Sequence, residues 1–297
     1  MTIKAQTQLQ TIPKCHDFFI GFDSDGCVFD SMEIKHKECF CPNFIKHFGL
    51  QNISKYARET WEFVNLYSTS RGVNRFLAVL ETMERLQERP EVRARNAVLP
   101  DMGPLSEWVA HETRLGNPAL AKYIEGDVPA IVKTCYEWST AVNQSVREMV
   151  LGLGPFPHVT DVLKRITDHA DSIVVSQTPL EALEREWEAN AMIQFIDFIA
   201  GQEHGTKTEH LRYAAVGKYE PDKILMVGDA PGDSAAADAN GVLFYPIIPG
   251  REEDSWEALH NEGLDRFFAG TFAGTYQTSL RETYMKSLPG SPPWRIL

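Results

Sequence analysis

A chain of 297 residues can bury a large core, and at 43% apolar and 24% charged residues it has the balance of a soluble globular protein of about two domains. A net charge of −12 argues against gripping a phosphate backbone through a basic surface, which excludes nucleic acid as a partner. No apolar run approaches the roughly 20 residues a bilayer span requires, and the opening Met-Thr-Ile-Lys-Ala-Gln-Thr-Gln lacks a signal peptide's apolar stretch, so the expectation is a cytoplasmic protein with no membrane partner.

Residues 1 to 16 are polar, carry Pro13 and read as a lead-in with a loose helical turn. The apolar run Phe18 to Phe22 comes next, too short for a helix and without alternation, which predicts a strand buried on both faces. Asp23 and Asp25 stand just past its end, where open α/β sheets bind ligands, and Gly26 permits a tight turn there.

From residue 32 to about 151 the pattern becomes helical and predicts an all-helical insert. Phe76, Leu80 and Met83 share one helix face, Leu105, Trp108 and Val109 another, and Val132, Tyr136 and Val142 lie along a long helix starting near Pro129. Pro42, Pro90, Pro100, Pro104 and Pro118 punctuate the insert, because proline lacks the backbone donor that a helix interior needs. Ser70-Arg-Gly-Val-Asn-Arg75 is a polar, glycine-containing turn before an amphipathic helix, and Arg71 and Arg75 are candidate contacts for an anionic substrate. The five cysteines are few and odd in number, so free thiols are expected. His36, Cys39 and Cys41 lie close together, but no second cluster with zinc-like spacing accompanies them, and packing is the reading they receive.

Gly152-Leu-Gly-Pro-Phe-Pro157 marks a hinge, after which strands and helices alternate. Strands are expected at 173–176, 198–200, 224–227 and 243–245, with helices at 161–169, from Pro179, from about Thr208 and at 234–239. Such alternation predicts a parallel sheet with right-handed crossovers. The helical block thus splits an α/β domain into residues 1–31 and 152–297, with 32–151 as the insert. Beyond Pro249 the signal weakens to two helices, near 255–262 and 278–285, and an extended tail.

Strands of a parallel sheet point one way, so the residues just past their ends converge on one edge. Ser176, Gln177 and Thr178 come after the second strand; Thr178 and Glu181 have capping-box spacing and Pro179 falls at the first helical position, so a helix start with free N–H groups suits a phosphate there. Thr206 and Glu209 repeat that spacing and put Lys207 in a first helical turn, where a cation opposes the helix dipole and calls for a functional reason. Lys218 is assigned to the opposite edge as a solvated helix-end lysine. The fourth strand delivers Asp229 and Asp233 to the same edge as Asp23 and Asp25, and so many carboxylates in a small space call for a hard divalent cation with oxygen ligands, with Mg²⁺ the expected ion.

Together these motifs resemble the haloacid dehalogenase (HAD) superfamily: Asp23-Ser-Asp-Gly-Cys-Val its nucleophile motif, Ser176 its hydroxyl motif, Lys207 its lysine motif and Gly228-Asp-Ala-Pro-Gly-Asp233 its acidic motif, in order over residues 18 to 245. Cys27 departs from the threonine often found at its position. The resemblance implies a Rossmannoid α/β core with an inserted helical cap of the C1 type, and a Mg²⁺-dependent phosphohydrolase acting on a small phosphorylated metabolite through an aspartyl-phosphate. In that scheme Asp23 is the nucleophile, Asp25 the acid and base, and Ser176 and Lys207 hold the transferring oxygens, with Gln177 beside them in substrate binding. Asp23, the backbone carbonyl of Asp25, Asp229 and Asp233 surround the metal. A phosphomutase keeps the same motifs and differs in passing the phosphoryl group to a sugar. A phosphonate-cleaving or dehalogenating relative is disfavoured by Asp25, and a catalytically silent binding protein by the complete set of acids and lysine.

Overall fold

The computed structural model describes residues 3–294 and divides into two units, Met1–Asp30 with Gly152–Leu288, and Ser31–Leu151 with Pro289–Leu297. Among the described residues no helix is long and apolar enough to cross a membrane.

The first unit is an α/β fold around a five-stranded parallel sheet. Its strands are β1 (Phe18–Phe22), β2 (Ala170–Val175), β3 (Phe198–Ala200), β4 (Ile224–Gly228) and β5 (Leu243–Pro246), in the spatial order β3-β2-β1-β4-β5. Phe22 pairs with Val174 on one side and Val227 on the other, which sets Asp23 level with Val175 and Gly228 at the carboxyl edge. Alternation along the strands feeds two cores, as side chains of period two require. Ile20, Phe22, Val174, Leu225 and Tyr245 pack with the helices Val159–Ile166, Leu180–Ala189, Glu252–Ala258 and Leu264–Phe268. Phe19, Ile173, Met226 and Phe244 pack on the opposite face with Ile3–Gln10, Lys207–Ala214, Pro231–Asn240 and Thr275–Ser287. Gly21 occupies the middle of β1 because a Cβ there would stand 3.0 Å from Val175 Cγ2 and 3.1 Å from Leu211 Cδ2. Its missing side chain lets the helix Lys207–Ala214 lie close against the central strand.

Lys218 differs from the solvated residue expected. Its Nζ donates to the carbonyls of Ile12 (2.9 Å) and Leu9 (3.4 Å) and so pins the N-terminal segment. Nearby, buried Asp171 accepts hydrogen bonds from Cys15 N–H (2.9 Å), His16 N–H (3.0 Å) and Tyr219 O–H (2.6 Å). Burial opposes its ionisation, but these donors outweigh burial and hold the carboxyl below its ordinary value of 3.8. A depressed carboxylate contributes stability above its unfolded pKa and loses it as pH falls through the folded value. Asp171→Asn is therefore expected to lose about 2–3 kcal/mol at pH 7 in urea unfolding, with a gap from wild type that closes as pH drops below the ordinary carboxylate range.

The second unit is helical throughout its described elements. Pro90, Pro104 and Pro118 each stand in the first turn of a helix, where the missing N–H costs nothing. Pro42 instead lies inside a helix running from Met32 to His47, just after a widened π turn, Lys35–Phe40, and the wider turn accommodates the proline ring. Trp61, Trp138, Phe44 and Phe76 centre the core, with Trp61 and Trp138 edge to face at 5.9 Å. Cys39, Cys41 and Cys135 are buried free thiols within it, and burial pushes Cys41 and Cys135 up to about 12. Arg71 is buried and donates from Nη1 to the Leu66 carbonyl at 2.9 Å.

Candidate active site

Four segments, each starting where β1, β2, β3 or β4 ends, build the site. Asp23 continues β1 by one more ladder bond, its N–H donating to the Val227 carbonyl at 2.9 Å, and Oδ1 accepts the Ser24 N–H at 2.8 Å. Gly26, at φ 77°, reverses the chain in the left-handed region that a side chain disfavours. Two distant indoles fix this turn: Trp187 Nε1–H donates to Ser24 Oγ at 3.1 Å and Trp256 Nε1–H to the Cys27 carbonyl at 2.8 Å. The Cys27 thiol points at the Val227 carbonyl, 3.7 Å away, and burial first, then the charge of Asp229, keeps it protonated.

Lys207 opens its helix behind the Thr206–Glu209 capping box: Thr206 Oγ1 accepts the Glu209 N–H at 3.2 Å and Glu209 Oε2 accepts the Thr206 N–H at 2.8 Å. Its Nζ lies 2.8 Å from Asp23 Oδ2 and 2.6 Å from Asp233 Oδ1. Burial disfavours the ammonium, but the two carboxylates outweigh it and hold Lys207 protonated. Asp233 is anchored through its other oxygen, Oδ2, which accepts the Ala230 N–H at 3.0 Å. Asp229 is buried, and its backbone carbonyl accepts from Tyr284 O–H at 3.2 Å.

Carboxylate oxygens of Asp23, Asp229 and Asp233 all lie within 4.8 Å of one another, the single group of this kind among the described residues. Burial, then the neighbouring charge of Asp233, raises the Asp23 carboxyl well above the ordinary carboxylate range, with Lys207 pulling the other way. Three buried carboxylates against one ammonium leave negative charge uncompensated, and an all-oxygen donor set of this size fits a hard divalent cation such as Mg²⁺.

Asp25 stands outside that trio. Its half-buried carboxylate accepts from Thr178 Oγ1 at 2.8 Å, and Thr178 N–H donates in turn to Ser176 Oγ at 3.2 Å. The capping box expected of Thr178 and Glu181 is not formed. Pro179 is the N-cap of the helix Leu180–Ala189 rather than its first residue, and the Leu180 N–H is taken by Glu203 Oε2 at 3.0 Å. A threonine whose hydroxyl serves a carboxylate across the sheet edge is unavailable to its own helix. The loop after β3 is tied to the same turn by Gln202 N–H to the Thr178 carbonyl (3.1 Å) and Gln177 Nε2 to the Gly205 carbonyl (2.8 Å). Gly201 sits where these segments touch: a Cβ would fall 2.9 Å from both Leu180 N and Thr178 O. Thr178, Glu203, Trp187, Trp256 and Tyr284 escape a reading of the sequence because each acts on a partner at least 23 residues away, and no local pattern marks such a bond.

Of the two arginines offered for substrate contact, Arg71 lies in the helical unit with its Nη1 on the Leu66 carbonyl, and Arg75 starts the helix Arg75–Glu88 of the same unit.

No family model matches the chain, and no curated protein does. Among solved structures, the chain is similar to a haloacid dehalogenase-like family hydrolase from Streptococcus pneumoniae at 12% identity and TM-score 0.44, over 81% of this chain and 90% of that one. It is similar to a HAD-superfamily hydrolase of subfamily IA, variant 1, from Geobacter sulfurreducens at 14% identity and TM-score 0.38, over 79% and 90% of the two chains. A predicted phosphatase from Clostridium acetobutylicum aligns at 13% identity and TM-score 0.44, over 84% and 99%.

Proposed function

We propose that the chain is a HAD-like phosphohydrolase that cleaves a small phosphate monoester through an aspartyl-phosphate on Asp23. The observation that carries this reading is the bridge made by Lys207, 2.8 Å from Asp23 and 2.6 Å from Asp233, within a buried carboxylate trio at the carboxyl edge of a parallel sheet.

Asp23, Asp229, Asp233 and the backbone carbonyl of Asp25 would hold Mg²⁺, which when bound offsets the charge of the carboxylates and of the phosphoryl oxygens. Asp23 Oδ attacks phosphorus; the bond to the ester oxygen breaks, and that oxygen takes its proton from Asp25. A water then attacks the same phosphorus and gives a proton to Asp25, the bond to Asp23 breaks, and inorganic phosphate leaves with the carboxylate restored. Lys207 orients Asp23 and, with Ser176, offsets charge on the transferring oxygens; Thr178 fixes the direction of Asp25. Gln177, next to Ser176 with its Nε2 donating to the Ser176 carbonyl, would contact the substrate. Three carboxylates and a protonated lysine supply positioning and electrostatics, which is most of what phosphoryl transfer asks of a protein.

The direct test is release of inorganic phosphate from p-nitrophenyl phosphate by purified protein. Turnover is expected with added Mg²⁺ and loss of it with EDTA. Equal rates in both conditions would contradict the carboxylate trio as a functional metal site, and no release with any phosphate ester would contradict the reading itself.

A further inference from the structure

Arg75 is charged in a place that supplies nothing to balance it. As the first residue of the helix Arg75–Glu88 it adds a cation to the end where the aligned peptide dipoles are already positive. The guanidinium is half-buried and lies over the Phe40 ring, 5.0 Å from its centroid. Nη1 is held by neutral acceptors alone: Asn143 Oδ1 at 2.8 Å, Ser139 Oγ at 2.9 Å and the Ser139 carbonyl at 3.3 Å. Ser139 is itself fixed, its hydroxyl donating to Asn117 Oδ1 at 2.5 Å.

Two other arginines of this unit are treated differently. Arg85 pairs with Glu81 and Arg89 with Glu59, each at 2.6 Å, whereas no described carboxylate pairs with Arg75, in a chain with 41 acidic residues against 29 basic ones. Burial pushes the Arg75 guanidinium down to about 10, and no neighbouring acid draws it back. Its Nε and Nη2 make no hydrogen bond to a described residue. Those two nitrogens form one of the edges through which guanidinium grips a planar or tetrahedral oxyanion with two parallel bonds. Anchoring by Nη1 fixes the direction of that edge before anything binds, which lowers the ordering cost of binding.

We propose that Arg75, set by Ser139 and Asn143, is an anion-binding site of the helical unit that takes the carboxylate or phosphate group of a small molecule on its Nε and Nη2 edge. This site is separate from the carboxylate trio and stands whether or not that trio hydrolyses phosphate.

The test is thermal unfolding of the full chain in EDTA at constant ionic strength, titrated with malonate in one arm and inorganic phosphate in the other. EDTA keeps the carboxylate trio free of metal, where its charge repels both anions. A ligand that binds only the folded state raises the midpoint in a concentration-dependent way. Wild type is expected to show such a rise with at least one anion, the arm identifying carboxylate or phosphate. Arg75→Gln is expected to lose that increment while keeping a midpoint close to wild type in anion-free buffer, since it removes an unbalanced charge. Should Arg75→Gln not fold, Arg75→Lys keeps the charge but not the fork, and its response is expected to shift to higher anion concentration. An increment of equal size and midpoint in wild type and variant, or none in wild type with either anion, overturns the proposal.

Discussion

Asp23→Asn is expected to lower phosphate-ester turnover by about 10⁴ or more while leaving a folded protein. The amide keeps the size of the carboxylate but cannot form the acyl phosphate, so the loss falls on kcat. Stability has two opposing contributions. The variant gives up one of the two ion pairs of Lys207, at 2.8 Å, yet it removes one of three buried carboxylates that repel each other within 4.8 Å. Circular dichroism and a thermal midpoint within a few degrees of wild type would separate a chemical defect from a folding one. Activity within about tenfold of wild type in such a protein would remove Asp23 from the nucleophile role.

The second large effect is expected at a residue with no side chain. Gly228 closes β4, and a Cβ there would lie 2.4 Å from Asp233 Cγ and 2.5 Å from its Cβ and Oδ2. Real atoms do not approach so closely, so Gly228→Ala must push Asp233 away from the strand. Asp233 cannot yield freely, because Oδ1 holds Lys207 at 2.6 Å and Oδ2 holds the Ala230 N–H at 3.0 Å. Overpacking of this kind costs about 1–3 kcal/mol, and a displacement on the order of 1 Å at a catalytic group lowers turnover by about 10². Gly232 is the control, since a Cβ there meets nothing within 4 Å in the helix Pro231–Asn240. Gly232→Ala is expected to be neutral or to stabilise by about 0.5–1 kcal/mol, because alanine is the better helix former. Urea unfolding and steady-state rates on both variants check the contrast.

How much of the fold and the site is legible in the sequence depends on the range over which each feature is encoded. The run Phe18–Phe22 marks β1 residue for residue, because a buried parallel strand needs uninterrupted apolar side chains and little else. The Thr206–Glu209 box is local and forms as its spacing requires, and Pro90, Pro104 and Pro118 fall in first turns for an equally local reason. Asp23, Asp229, Asp233 and Lys207 can be set on one edge by topology alone, and their oxygens and nitrogen are together in the structure. Features that depend on distant partners are not legible. Thr178 has the spacing of a cap, but its hydroxyl goes to Asp25, 153 residues away, and Glu203 takes over the helix start. Lys218 looks solvated until the N-terminal segment supplies two carbonyls. The short helix Leu264–Phe268 carries too few residues for a period to be read.

The most direct test of the central claim is to catch the phosphoryl group on the protein. Wild-type chain mixed with Mg²⁺ and a phosphate ester labelled in its phosphoryl group would be quenched in acid within one turnover, digested and mapped by mass spectrometry. The account predicts label on the peptide containing Asp23, released by hydroxylamine as an acyl phosphate is, and absent when EDTA is present or Asp23 is asparagine. Steady release of phosphate with no label on Asp23, or label that survives Asp23→Asn, would contradict it.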